Sequence, residues 1–141
     1  MNTTRKMIIT WNDYGIYLKD LIMKIESEGK RYTGVHGLPR GGLPIAVAVS
    51  HYFDIPIIKH ISFNTNNLLI VDDICDSGET LKTLLTGEFG NNHPDVATMF
   101  LRTDSKYQPL YWCKQVNHSY WVDFPYEYPD RPDTISQVTN S

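Results

Sequence analysis

Four consecutive apolar residues, Leu68, Leu69, Ile70 and Val71, run directly into two adjacent carboxylates, Asp72 and Asp73. A short, wholly apolar run is the pattern of a strand buried on both faces of a parallel sheet. A loop with Asp76, Ser77 and Gly78 follows, then a helix expected from about Gly78 to Leu85. A buried strand that turns straight into a helix belongs to α/β architecture, where ligands sit at the carboxyl ends of the strands.

The rest of the chain agrees with that class. Met7 to Thr10 is a short apolar run, and Thr10 starts a helix with Asp13 three positions later as its capping-box partner. Trp11, Tyr14, Tyr17, Leu18, Leu21, Ile22 and Ile25 recur at helical spacing up to a stop at Gly29. Tyr32 to His36 reads as a strand, Gly37 to Gly42 as a loop, and Pro44 to about Tyr52 as a second helix. Ile55 to Phe63 reads as a further strand, Asn64 to Asn67 as a polar turn, Val96 to Leu101 as a buried strand, and Gln115 to Val122 as the region of a last strand. The expected fold is α/β with a mainly parallel, twisted sheet flanked by helices. It is one domain: a core of about 30–115, a small hood from about 1–12 and 116–130, and a polar tail at 131–141.

Composition narrows the function. The 141 residues carry a net charge of -3, which argues against binding nucleic acid through a basic face. No apolar run is long enough to span a membrane, and the first residues lack the apolar centre of a signal peptide. The two cysteines, Cys75 and Cys113, form no C-x-x-C pair and suggest no disulfide framework, so a reduced, cytoplasmic setting is expected. The five histidines show no metal-ligand spacing.

The loops that end strands and open helices are Gly37–Gly42 and Asp72–Gly78. At the second, successive N–H groups from Asp76 through Ser77, Gly78 and Glu79 to Thr80 open a helix and form an anion cradle aided by the helix dipole. Ser77 and Thr80 add hydroxyls, and Gly78 lets the backbone come close to a phosphate. Asp72 and Asp73 repel phosphate but suit sugar hydroxyls, or a metal shared with the ligand. A ligand with a phosphate and a diol, a ribose 5-phosphate, fits both halves.

VDDICDSGET, Val71 to Thr80, resembles the phosphoribosyl-diphosphate signature of the type I phosphoribosyltransferases. PRGGLPIA, Pro39 to Ala46, resembles that family's pyrophosphate loop; IITW (Ile8 to Trp11) and YWVDFPYE (Tyr120 to Glu127) resemble the two ends of its bacterial xanthine-guanine members. The resemblance implies roles. Asp72 and Asp73 would bind the ribose hydroxyls and stabilise positive charge on the sugar. Asp76 would handle the purine proton near N7, and Asp76 to Thr80 would hold the 5-phosphate. Arg40, Gly41 and Gly42 would hold pyrophosphate with Mg²⁺, which Asp72 would contact partly through the ligand, with Asp73 beside it. Trp121 would stack on the base, the Val122 backbone would read its edge, and Arg102 stands where the family places a lysine toward the 6-oxo group.

The implied activity is transfer of phosphoribosyl from phosphoribosyl diphosphate to a 6-oxopurine by a homo-oligomer, dimer or tetramer. The family's long flexible loop is nearly absent, since only Asn64 to Asn67 separate Ile61-Ser62-Phe63 from Leu68. A regulatory protein that binds phosphoribosyl diphosphate or a nucleotide without turnover is therefore an alternative, and a transferase for another base is a second. Plainer readings compete residue by residue. The acids could be a solvated strand end, Ser77 a nucleophile, VDD a receiver-domain acid pair. Cys75 suits a small buried hydrophobe, His36 a packed histidine, and Trp121 alone a core or interface aromatic.

Overall fold

The computed structural model describes residues 5–62, 66–87 and 93–127. In chain order the elements are β1 (Arg5–Ile8), α1 (Trp11–Glu28), β2 (Gly34–Gly37), α2 (Gly42–Phe53), β3 (Leu68–Cys75), α3 (Glu79–Gly87), β4 (Asp95–Arg102), β5 (Tyr111–Val116) and β6 (Tyr120–Asp123). Four strands form one sheet in the order β2-β3-β4-β5, and every pair in it is parallel. The expected tail at 131–141, and part of the expected turn at Asn64 to Asn67, lie outside the described residues.

The sheet is covered on both faces, as parallel strands require. On one face, Leu21, Ile22 and Ile25 of α1 and Ile45, Ala46 and Val49 of α2 bury Leu69, Val71, Ala97 and Met99. On the other, Leu81 and Leu85 of α3 pack on Leu68, Ile70, Val96 and Leu101. Leu68 to Val71 of β3 alternate between the two cores, and β4 supplies both, Ala97, Met99 and Phe100 to one and Val96 and Leu101 to the other, which explains why both strands read as apolar runs. β1 and β6 form a separate parallel pair, Arg5 opposite Tyr120 and Ile8 opposite Asp123. It is joined to the core through Tyr14, Phe124 and Tyr126, whose rings lie 5.5–6.5 Å apart.

α1 starts where its cap chemistry says. The Asp13 N–H donates to Thr10 Oγ1 and the Thr10 N–H to Asp13 Oδ2, both at 3.1 Å. Thr10→Ala should cost about 1 kcal/mol in urea unfolding; an unchanged midpoint would mean that packing alone fixes this end.

Three expectations are corrected. Ile55 to Phe63 is not a strand: among its described residues only Ile57 makes a bridge, with Val35. Pro56 lacks an N–H and confines the segment to the margin of the sheet. The single last strand expected in Gln115 to Val122 is two strands, β5 and β6, separated by the turn at Asn117 to Ser119. The strand expected to end at Val71 continues to Cys75, because Ile74 and Cys75 pair with Phe100 and Leu101 of β4. Asp72 and Asp73 therefore lie within the strand, and the loop proper is Asp76 to Gly78.

Candidate functional site

Successive strand residues point to opposite sides, and this divides the acid pair between two cavities. Asp72 lines one of about 390 Å³ together with Leu38, Pro39, Asp76, Ser77, Gly78 and Thr80. Asp73 lines another of about 440 Å³ with Arg40, Gly41, Tyr126 and Glu127. The acids remain in electrostatic contact, and the Asp73 N–H donates to Asp72 Oδ1 at 2.9 Å. Burial, reinforced by the charge of Asp73, pushes the Asp72 carboxyl up to about 8.

That shift has a sign. The unfolded value lies near 3.9, so between the two values the folded chain keeps a proton that the unfolded chain has lost. This group therefore lowers stability as pH rises through that window, with its full cost above about 8. Asp72→Asn should stabilise metal-free protein by about 1–3 kcal/mol at pH 9 and by nearly nothing at pH 4. Urea unfolding in EDTA checks this; equal effects at both pH values would refute it.

The cradle is built from both sides of β3. Gly78 has φ 81°, and a Cβ there would lie 2.6 Å from the Tyr107 nitrogen and 2.7 Å from Ser105 Oγ. The loop after β4 props it from behind, with the Lys106 N–H donating to the Ser77 carbonyl at 2.8 Å. Ser77 Oγ accepts the Glu79 N–H at 3.2 Å. The Glu79 carboxylate is turned away to Lys106, 2.6 Å off, and both are exposed. Glu79 thus stands at the helix start but not among the residues lining the cavity.

Arg40, Gly41 and Gly42 turn tightly over β3, with a cis peptide between Pro39 and Arg40. A Cβ on Gly41 would lie 2.0 Å from Asp73 Oδ2, and one on Gly42 2.4 Å from the Val71 carbonyl. Only glycine allows this contact.

Arg102 ends β4 with a side chain that is 8% exposed. Its Nε donates to Asp76 Oδ1 at 3.2 Å, and its Nη1 to the carbonyls of Asn117, at 3.0 Å, and Tyr120. Trp121 is 51% exposed, leaving a ring face open, and Val122 is buried. The N–H groups of Arg5 and Ile9 donate to the carbonyls of Ser119 and Asp123. By alternation the carbonyl of Tyr120 and the peptide groups of Val122 then lie on the edge of β6 that β1 leaves unpaired.

Two residues were not foreseen. The Tyr126 hydroxyl donates to Asp73 Oδ2, and burial together with that bond raises its phenol. Tyr14 has a buried hydroxyl without a hydrogen-bond partner among the described residues, and burial and the Asp73 charge raise it as well. Tyr126 stands in YWVDFPYE, but 53 positions separate it from Asp73, and no local spacing signals the bond. Cys75 is buried, with Sγ 3.3 Å from Ser105 Oγ, and His36 Nδ1 lies 2.6 Å from the Ile58 carbonyl. Among the described residues no group of three or more His, Cys, Asp or Glu side chains could hold a metal alone, and no helix is long and apolar enough to cross a membrane.

A parallel sheet with an acid-pair strand, a helix-start cradle and an Arg-Gly-Gly turn against the second acid is the type I phosphoribosyltransferase fold. No protein-family model matches the chain. It is 24% identical over 145 aligned positions to xanthine-guanine phosphoribosyltransferase of Cereibacter sphaeroides, covering 84% of this chain and 85% of that one. Its structure is similar to Helicobacter pylori xanthine-guanine-hypoxanthine phosphoribosyltransferase, with TM-score 0.75 and 17% identity over 97% of this chain and 100% of the other. It is also similar to the purine phosphoribosyltransferase of Pyrococcus horikoshii, with TM-score 0.72 and 23% identity over 86% and 93%.

Proposed function

We propose that this protein is a purine phosphoribosyltransferase that uses phosphoribosyl diphosphate and favours 6-oxopurines. The observation that carries the reading is that Asp72 lines one cavity with Asp76, Ser77, Gly78 and Thr80, next to an Arg-Gly-Gly turn seated on Asp73. In the reaction the bond from ribose C1 to the diphosphate oxygen breaks and a bond from C1 to a purine nitrogen forms. Pyrophosphate leaves with the bonding pair, and the proton displaced from the purine passes to Asp76. Asp72 and Asp73 stabilise the positive charge that builds on the sugar, and Ser77 to Thr80 fix the 5-phosphate.

The donor chemistry fits Mg²⁺: two neighbouring hard carboxylates, one of them with its pKa raised by burial and further by the other's charge, where a cation would favour the ionised form. Asp72 would hold it partly through oxygens of the ligand, with Asp73 contributing its charge from the neighbouring cavity. It would neutralise charge on the leaving diphosphate.

Trp121 gives the base a stacking face, and Arg102 and the open edge at Val122 give it polar partners. The names of the similar proteins above support a 6-oxopurine. Pyrophosphate release measured with guanine, xanthine, hypoxanthine, adenine and uracil tests this. A 6-oxopurine should be the best substrate, and adenine or uracil in first place would overturn the base assignment. Tight nucleotide binding with no release for any base would favour the second reading, a binding protein of the same fold, for which the short connection before β3 speaks.

A neighbouring subunit would make good that short connection by covering the site. Leu43, Val47 and Tyr52 of α2 are each 45–47% exposed on a largely apolar helix, which supports a homo-oligomer. Transfer should then fall with dilution in step with dissociation measured by sedimentation. Full, hydrolysis-free activity in a monomer would rule this out.

A further inference from the structure

We infer that Arg102 is a positioning residue that locks the base-binding edge of β6 to Asp76, holding the groups that receive the purine in fixed relation to the group that takes its proton. The inference rests on the purine-transfer reading and assigns Arg102 a task other than direct contact with the exocyclic oxygen.

The geometry is specific to a guanidinium. Three bonds leave two nitrogens of one planar fork: Nε to Asp76, and Nη1 to the carbonyls of Asn117 and Tyr120. These acceptors belong to three separate segments: the cradle loop after β3, the turn after β5, and the first residue of β6. The Tyr120 carbonyl lies on the edge of β6 left open by β1, and Val122 follows two positions along the same edge, with Trp121 between them. Fixing Tyr120 therefore fixes where a purine can meet Val122 and stack on Trp121.

Asp76 is 73% exposed on its side chain, so the ion pair itself is screened and contributes little to stability. Its consequence is placement. An ammonium is a single point donor on a flexible stem and cannot reproduce a fork fixed on three acceptors. The backbone bonds at this turn, Thr103 N–H to the Val116 carbonyl at 3.2 Å and Tyr120 N–H to the Asn117 carbonyl at 3.1 Å, do not reach the Tyr120 carbonyl, which among the described residues is held by Arg102. Purine binding should respond to loss of this lock, and phosphoribosyl diphosphate binding should not.

The experiment compares Arg102→Met and Arg102→Lys with the native protein. KM is measured separately for guanine and for phosphoribosyl diphosphate, and amide exchange is followed over residues 116–123 and over α1. In Arg102→Met the guanine KM should rise at least tenfold with the phosphoribosyl diphosphate KM within twofold. Exchange over 116–123 should quicken at least tenfold while α1 stays unchanged. Arg102→Lys should fall between the two in both readouts. A raised guanine KM with unchanged exchange would show Arg102 to be a direct base contact only, and unchanged values of both would refute the lock. If native protein transfers to no base, the function proposed above fails, while the exchange comparison still decides whether Arg102 holds the edge.

Discussion

Replacing Asp72 and Asp73 together by asparagine should lower transfer by at least about 100-fold while leaving a folded chain, since removing one preorganised charge-stabilising group commonly costs about 10²–10³ in rate. The two acids are the only carboxylates that β3 carries into the two cavities. Under the proposed reaction they would oppose charge that develops on the sugar, and Asp72, which is largely buried, would act there more strongly than a carboxylate in bulk solvent. Asparagine keeps the shape and can still accept the Asp73-position N–H. The free protein should tolerate the change at neutral and alkaline pH, because it relieves a buried, mutually repelling pair. Single-turnover transfer rates, with circular dichroism as the control for folding, measure the effect. A loss smaller than tenfold would separate these carboxylates from the chemistry.

The second large effect is expected at Gly78. Gly78→Ala combines a left-handed backbone, φ 81°, with a methyl group 2.6 Å from the Tyr107 backbone nitrogen. A main-chain atom in a loop tied to Ser77 cannot swing aside as a side-chain tip can. The strain alone costs about 1 kcal/mol or more, and the collision must be relieved by moving the loop after β4 away from the cradle. Stability should fall by about 2–4 kcal/mol, and affinity for a purine monophosphate should fall at least tenfold. Titration calorimetry and urea unfolding on the same samples check both. Unchanged nucleotide affinity would show that the phosphate does not rest on this turn.

How far these groups could be read from the chain depends on the range of the interactions that place them. The Thr10–Asp13 cap involves neighbours in sequence, and the local pattern announced it, whereas Gly78, read as room for a phosphate, is required as glycine by its left-handed backbone and by Tyr107 and Ser105, nearly thirty positions on. The end of β3 was hidden because aspartates are poor strand residues, and only pairing of Ile74 and Cys75 with β4 keeps the acids extended. The same extension is what sends Asp72 and Asp73 into different cavities, which adjacent letters in a sequence cannot reveal. Ile55 to Phe63 misled through its apolar content, and Pro56 was the sign against a strand. Asn117, His118 and Ser119 were an available turn signal, and reading through them merged β5 with β6. The bonds of Arg102 to Asn117 and Tyr120, and of Tyr126 to Asp73, join segments 15 to 53 positions apart and follow from the tertiary fold alone.

The pairing of β1 with β6 bears on the order in which the parts are made. Arg5 and Tyr120 meet across a separation of 115 positions, whereas β3 and α3 are consecutive. Closing so large a loop is slow and comes after local structure. During synthesis β3, α3 and β4 can pair and pack before β6 is available, so on the function proposed above the segments assigned to the sugar phosphate would be assembled before those assigned to the base. The same order run backwards would open the β1–β6 pair before the four-stranded sheet, and under the proposed function base selectivity would then be lost before the hold on the phosphate.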